Sequence, residues 1–514
     1  MSIDVRFLWG AGMLQTRCWA TTTVLVVNFG WLNNSSAATL HVPADFPTIQ
    51  ACIDAATDGD ECVVAPGTYH ETIDFLGKAI TLRGSHGADV TTIDATGIGG
   101  SVVTCASGEG PTTVLDGFTI TGGTGTPING YELGGGMYND STSPTSSNCV
   151  FNANYADAGG AIYNRLSSPY LVNCLFSGNI ANGCGGGMAN LGGSPTVERC
   201  AFSENSASGN IGYGGGMYND HASPKIRDCK FVGNFANNGG AMFNQYTNAT
   251  ISGCDFNVNF AKSGGGVLNV YWSNPKFTNC VFRGNSASDG GGGAMVISSH
   301  SSPRVSNCTF SRNAADFGGG GIFIIFDSNP TVTGCILWGN SPDELNNDSL
   351  SPTIHFSDIQ RGLPVGAVDG GGNISLDPMF VRELDPGPDG MWDGVDDDYG
   401  DLRLQPGSPC IDAGDPGFVP QLGETDLEGH ARVLCGRVDM GAYEFGIGDY
   451  DCDRAVGLTD FTNWSACMTG PQATALAGEP PVAPSCEAFD FDADVDTDLL
   501  DFASFQNAFL FTSP

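Results

Sequence analysis

Between residues 149 and 340 apolar and polar positions alternate in a block that returns about every 27 residues. Each block begins with Cys, a variable residue, then Phe or another apolar residue, starting at Cys149, Cys174, Cys200, Cys229, Cys254, Cys280, Cys308 and Cys335. At strand period two, the Cys and the residue two later face inward. The variable residue between them (Leu175, Ala201, Lys230, Asp255, Thr309) faces outward. Another apolar residue precedes the Cys by three: Leu171, Val197, Ile226, Ile251, Phe277, Val305, Val332. That offset breaks the alternation, so the chain must turn. The residue at the turn is Asn148, Asn173, Asp228, Gly253, Asn279, Asn307 or Gly334, types that tolerate a left-handed backbone; only Arg199 departs. Short strands joined by tight corners and stacked turn upon turn predict a parallel β-helix, a solenoid.

Asn also recurs after the Phe, at 154, 179, 205, 234, 259, 285, 313 and 340. Amides stacked at one position hydrogen-bond along the axis, so this column reads as a structural ladder and not as catalytic residues. A third element follows paired glycines, as in Gly159-Gly160-Ala161-Ile162-Tyr163-Asn164. Two registers fit it. With Ile162, Met188, Met217 and Met242 inward, Tyr138, Tyr163, Tyr218 and Phe243 form an exposed aromatic column suited to sugar rings. The opposite register buries the aromatics as plain core. The first is preferred.

The ends differ from the repeats. Ile49, Ile53 and Ala56 share one face of a short helix that Thr48 starts, covering the first turn of the solenoid. Arg6 and Arg17, an apolar run from Trp19 to Leu32 and Ser36-Ala37-Ala38 read as an export signal cleaved after Ala38. The run is too short and too polar for a membrane span, so no transmembrane segment is expected in the mature chain, which is secreted or displayed on the cell surface. Domains are expected at 1–38 (signal), 39–380 (β-helix with its helical cap), 381–446 (a closing region with an acidic loop from Asp385 to Asp398) and 447–514. Of 18 cysteines, the repeat set reads as buried free thiols; Cys52/Cys62, Cys410/Cys435 and Cys467/Cys486 are the disulfide candidates. A net charge of −36 excludes nucleic acid as a partner and disfavours a polyanionic glycan without a bridging divalent cation.

The N-terminal segment from Phe46 to Ala56, with Val63–Tyr69 and Ala79–Leu82, resembles the opening of pectin-lyase-like right-handed parallel β-helix proteins. The Phe-x-x-Asn and Gly-Gly-Ala-Ile pairing resembles the repeat of polymorphic outer membrane proteins, an adhesin family. Both resemblances imply an all-β solenoid over roughly residues 42–380 and say little about function. Ser408–Gly414 and Val438–Glu444 look like terminal segments of such helices.

The C-terminus carries the sharpest chemistry. Asp449, Asp451, Asp453 and Asp460, and again Asp490, Asp492, Asp494 and Asp501, fall at loop positions 1, 3, 5 and 12, the spacing that wraps oxygens around one Ca²⁺; Asp498 adds a carboxylate at position 9 of the second loop. Arg454 and Val495 stand where such loops carry Gly. The two units resemble a type I dockerin, which implies a small α-helical module holding two Ca²⁺ and docking onto a cohesin-like protein. Arg165, Arg199, Arg227, Asp157 and Asp228 are the outward charged residues a lyase or hydrolase acting on extracellular glycan would use. None forms a signature, and a non-catalytic role in binding polysaccharide or protein is preferred. An autotransporter passenger is disfavoured, since the residues after the rod read as calcium loops and not as a membrane barrel. Calorimetry on residues 447–514 is expected to show Ca²⁺ binding, with one site lost in Asp449→Ala and the other in Asp490→Ala.

Overall fold

The computed structural model describes residues 37–388, 397–421, 423–446 and 452. Helix α1 (Ile49–Ala55) lies at the start, its Thr48 side chain accepting from the Ala51 N–H. The Glu71 carboxylate accepts from the Ile49 and Gln50 N–H groups, both at 2.9 Å, so the exposed donors of the first helical turn are satisfied. Among the described residues, everything after it is strand and corner. Three sheets of 14, 12 and 19 strands, parallel except for the hairpin Thr126–Ile128/Tyr131–Leu133 in the third, form a rod of about twelve turns, roughly 60 Å at one strand spacing per turn.

Each turn visits the sheets in order. A strand such as Tyr170–Val172 in the first sheet leads through a left-handed corner to Leu175–Ser177 in the second. Another corner leads to Ile180–Cys184 and then Met188–Leu191, both in the third. The first corner has φ near +50° at Asn148, Asn173, Asp228, Asn279 and Asn307, and also at Arg199 (φ 49°). The geometry is therefore imposed by the turn, and Arg199 adopts it despite its side chain.

Pairing is in register in the first two sheets; the third shifts register between Ala156 and Ala158 and again between Ala314 and Ile322. Phe151, Phe176, Phe202, Phe231, Phe256, Phe282 and Phe310 stack as a buried column, neighbouring rings 4.5–5.1 Å apart and nearly parallel. The repeat cysteines are free and buried, each thiol turned to the carbonyl two residues back, as Cys229 Sγ to Arg227 O at 3.1 Å. Burial raises the thiols of Cys229, Cys254 and Cys308 and keeps them protonated.

The Asn ladder is continuous from Asn154 to Asn340. From Asn179 on, each Oδ1 accepts from both the backbone N–H and the Nδ2 of the Asn one turn earlier, and each Nδ2 donates to the carbonyl of a Phe one turn earlier, as Asn234 Nδ2 does to Phe202 O (2.9 Å); Asn154 Nδ2 donates to Ile120 O. Its ends are closed: Gly123 N donates to Asn154 Oδ1, and Glu344 Oε2 accepts from Asn340 N and Nδ2. A second ladder runs through Asn139, Asn164, Asn190, Asn219, Asn244 and Asn269, at 2.8–2.9 Å per step.

Two disulfides are present among the described residues. Cys52–Cys62 forms as expected, with Cα atoms 6.2 Å apart. The expected Cys410–Cys435 pair does not: Cys435 bonds Cys452, and Cys410 is a buried free thiol facing Asp358. Cys410 is buried against the second sheet, in one cluster with Val281 and Ile336. Cys467 and Cys486 lie outside the described residues.

Asn234→Ala would orphan two buried donors of Asn205 at once. It is expected to lower unfolding free energy by about 3 kcal/mol or more. The exposed Lys230→Ala, four residues away, should change it by only about 0.5 kcal/mol or less. Thermal and denaturant midpoints of the two variants check this.

Candidate functional site

The preferred register of the third element is the observed one: Met137, Ile162, Met188, Met217 and Met242 pack in the main core. The consequence expected of it does not follow. Tyr138, Tyr163, Tyr218 and Phe243 point away from that core but are only 4–8% exposed. The strand before each glycine pair and the strand after it belong to one sheet, joined by a corner such as Gly159-Gly160. A Cβ at Gly159 would meet the Ile162 carbonyl at 2.4 Å, so the chain can bend this sharply only with glycine. The bend folds the two outer faces together, and the aromatic column lies in the crease, packed with Ala158, Cys184, Leu191 and Tyr213. Burial there pushes the Tyr163 phenol up to about 12. These four residues are a second core, not an open platform.

The exposed aromatics stand one corner further on. After each Asn of the second ladder, and after Ile297 and Ile324 in the same register beyond it, the chain turns again; the turn residues include His221, Tyr246, Tyr271, Trp272, His300 and Phe326, all with φ between 50° and 64°. Tyr246, Tyr271, Trp272 and Phe326 are 45%, 49%, 61% and 67% exposed. Rings on successive turns stack: His221 on Tyr246 at 4.6 Å, Tyr246 on Tyr271 at 5.8 Å, Trp272 on His300 at 4.6 Å. A bulky side chain in the left-handed region costs about 1 kcal/mol or more per residue, and Gly or Asn would relieve it. Six aromatic or imidazole rings at strained, solvent-facing positions therefore mark this corner as the candidate ligand face. Sequence reading missed it because these residues share no motif; the signal available was the extra corner residue that Trp272, His300 and Asp327 add from the turn of Tyr271 onward.

The outward charges do not gather into one centre. Arg165 pairs with Asp140 (2.8 Å), and Asp157 accepts from the Glu132 N–H. Arg199, Arg227 and Asp228 meet at a different corner, beside Glu198, whose carboxylate accepts from the Tyr170 hydroxyl at 2.9 Å. Desolvation raises the Asp228 carboxyl and the two arginines oppose it.

A denser set lies under the described parts of residues 380–446. This segment, expected to close the rod, packs along the flank of the second sheet: Ala442 N donates to Thr309 Oγ1, Gly441 N to Gly334 O, and Asn279 Nδ2 to Thr425 O. It covers Val281 and Ile336 and brings the Arg283–Asp255 ion pair beside Tyr443, Asp401 and Arg403. Arg403 contacts Asp401 and Glu428. Arg432 and Glu444 form a buried pair, and burial raises Asp439 to about 7. Two small cavities, of about 200 and 330 Å³, sit near Ile359–Ser375 and Asp343–Val365.

Among the described residues no group of three or more His, Cys, Asp or Glu is arranged to hold a metal ion. The expected Ca²⁺ ligands Asp449, Asp451, Asp453, Asp460, Asp490, Asp492, Asp494, Asp498 and Asp501 lie outside the described residues, as does residue 389–396 of the acidic loop. Asp385 and Asp398, at the base of that loop, exchange backbone hydrogen bonds, and Asp398 pairs with Arg382. No helix among the described residues is long and apolar enough to cross a membrane.

The fold and these faces define the chain as a right-handed parallel β-solenoid protein. A family model described as "Right handed beta helix region" matches residues 197–360. No curated protein sequence matches the chain. Similar solved structures include pectate lyase Pel9A, 17% identical over 77% of this chain and 90% of that one, at a TM-score of 0.36. A pectin methylesterase mutant in complex with a hexasaccharide is 10% identical over 66% of this chain and 93% of that one, at 0.26. A polygalacturonase from Erwinia carotovora ssp. carotovora is 10% identical over 66% and 95%, at 0.24.

Asp358 gives the flank segment a pH dependence. Its buried carboxyl accepts from Leu376 N and the Cys410 thiol, and burial raises it from the ordinary 3.8 to about 6. The folded state thus holds an extra proton between those values, and stability falls as pH rises through that window. Asp358→Asn is expected to remove about 2 kcal/mol of this dependence, read as the change in thermal midpoint between pH 4.5 and pH 7.5.

Proposed function

We propose that this chain is an extracellular, non-catalytic rod that binds polysaccharide along its exposed aromatic corner. The observation that carries the reading is the stacked series His221, Tyr246, Tyr271, Trp272 and His300, held in a strained backbone geometry where core packing does not require it. Such rings offer apolar faces and polar rims, the surface that pyranose rings use for stacking. The corner repeats at each turn, about 4.8 Å, so an extended glycan can be met by successive rings.

Export is part of the proposal. The pattern of residues 1–38 supports it, and so do disulfides at Cys52–Cys62 and Cys435–Cys452, which persist in oxidising compartments. Residues 447–514 complete it as a Ca²⁺-dependent module that attaches the rod to a cohesin-like or other surface partner, the carboxylate spacing at Asp449–Asp460 and Asp490–Asp501 being its support.

Affinity electrophoresis in gels containing soluble polysaccharides tests the binding face. Tyr246→Ala and Trp272→Ala are each expected to weaken retardation roughly tenfold. Tyr163→Phe, in the buried crease, should leave it unchanged. Product formation from any of these glycans by the wild-type chain would replace the proposal with catalysis.

A further inference from the structure

The aromatic corner has one interruption. Tyr271, Ser299 and Phe326 occupy equivalent places on three successive turns, with φ of 51°, 54° and 52°, so their side chains leave the rod in a common direction. Trp272 N donates to Ser299 O (3.1 Å) and His300 N to Phe326 O (3.0 Å), which ties the three turns together. Where neighbouring turns both carry rings, the rings stack on each other. At Ser299 the ring is missing. Tyr271 and Phe326 are two turns apart, roughly 10 Å by the spacing of paired strands. A saturated six-membered ring in van der Waals contact with an aromatic face on each side, at ~4 Å per face, fills a gap of that width.

We propose that Ser299 is the floor of a slot that takes one uncharged pyranose ring of a polysaccharide, sandwiched between Tyr271 and Phe326. This rests on the reading of the corner as a glycan-binding face and specifies its ligand. The walls are apolar. The floor and rim are polar: Ser299 Oγ lies 3.2 Å from Ser298 Oγ, and the exposed His300 and Asp327 flank the opening on the adjoining column. These groups suit sugar hydroxyls. The ligand is uncharged because the chain carries −36 overall and Asp220 and Asp327 stand on the same corner. A uronate chain would bring carboxylates against them. The long unbranched geometry of the corner also favours an extended chain over a single free sugar, since rings at His221, Tyr246 and Tyr271 continue the contact on one side of the slot.

The test uses the full chain in calorimetric titrations with cellohexaose, mannohexaose and a polygalacturonate oligomer. Ser299→Tyr puts a ring where both neighbouring turns already carry one, so it should fold with an unchanged thermal midpoint while filling the slot. Affinity for the neutral hexasaccharide that binds the wild type is expected to fall at least tenfold in Ser299→Tyr and similarly in Phe326→Ala. Unchanged or tighter binding by Ser299→Tyr, together with loss in Tyr246→Ala and Trp272→Ala, overturns the slot and leaves the aromatic corner standing. Retention of binding in all four variants overturns both. Tighter binding of polygalacturonate than of either neutral oligomer overturns the assignment of an uncharged ligand.

Discussion

The stacked amides of the Asn ladder are what the rod depends on. A buried amide has two donors and an acceptor to satisfy, and water is excluded from this interior. Satisfaction is complete only when the next turn places an identical amide directly above, one strand spacing away. That requirement holds the turns in line, and the Phe and Cys columns follow because each lies within five residues of its ladder Asn on the same turn. Each added turn extends the ladder without changing its geometry. The stack also needs an acceptor at its far end, where Asn340 offers N–H groups and no further Asn follows; the buried Glu344 carboxylate takes both. The second ladder has no such stop: Asn139 Oδ1 and Asn269 Nδ2 are left without partners.

An interior committed in this way leaves function to the corners and outer faces. The corners differ sharply. Between the first and second sheets they are mostly Asn, Asp and Gly, which accept a left-handed backbone at low cost. Beyond the second ladder, on the turns from His221 to Phe326, the same backbone geometry is adopted by His, Tyr, Trp and Phe, with Ser299 and Asp327 the exceptions. Local energetics argue against those residues there, and the rings gain little burial in return. Residues retained against both preferences, and aligned so that they stack, form the most specific surface feature of the molecule.

The flank of the second sheet has a different fate. Its outward residues are half-buried or exposed on early turns, as at Val150, Leu175, Ala201 and Lys230, and buried on later ones at Asp255, Val281, Thr309 and Ile336. The described parts of residues 380–446 cover these later turns. Gly441 shows how closely: at φ 94°, a Cβ there would lie 2.8 Å from Ile336 and Thr309. The charged groups gathered beneath the segment are held in pairs, Arg283 with Asp255 and Arg432 with Glu444, which is how ionised side chains persist at such depth. They read as the fastening of one layer onto another.

Local pattern alone determined most of the rod in advance: the strands, which residues face inward, the left-handed corner, the Asn ladder, the helical cap with Thr48 at its start, and the free state of the repeat cysteines. These follow from periodicity and backbone sterics within one turn and its copies. The covering of Asp255 and Val281 depended on a segment more than a hundred residues away, and the partner of Cys435 on Cys452, which lies outside the repeats; no repeat pattern reports either. The aromatic columns show the division most clearly. That Tyr163 faces away from the main core was legible from Ile162 and Met188 beside it. Whether away meant into solvent was decided by the glycine corner, which folds two outer faces together and buries one column while leaving Tyr246, Tyr271 and Trp272 at the next corner open. Side-chain direction is a property of the strand; exposure is a property of what the rest of the chain brings alongside.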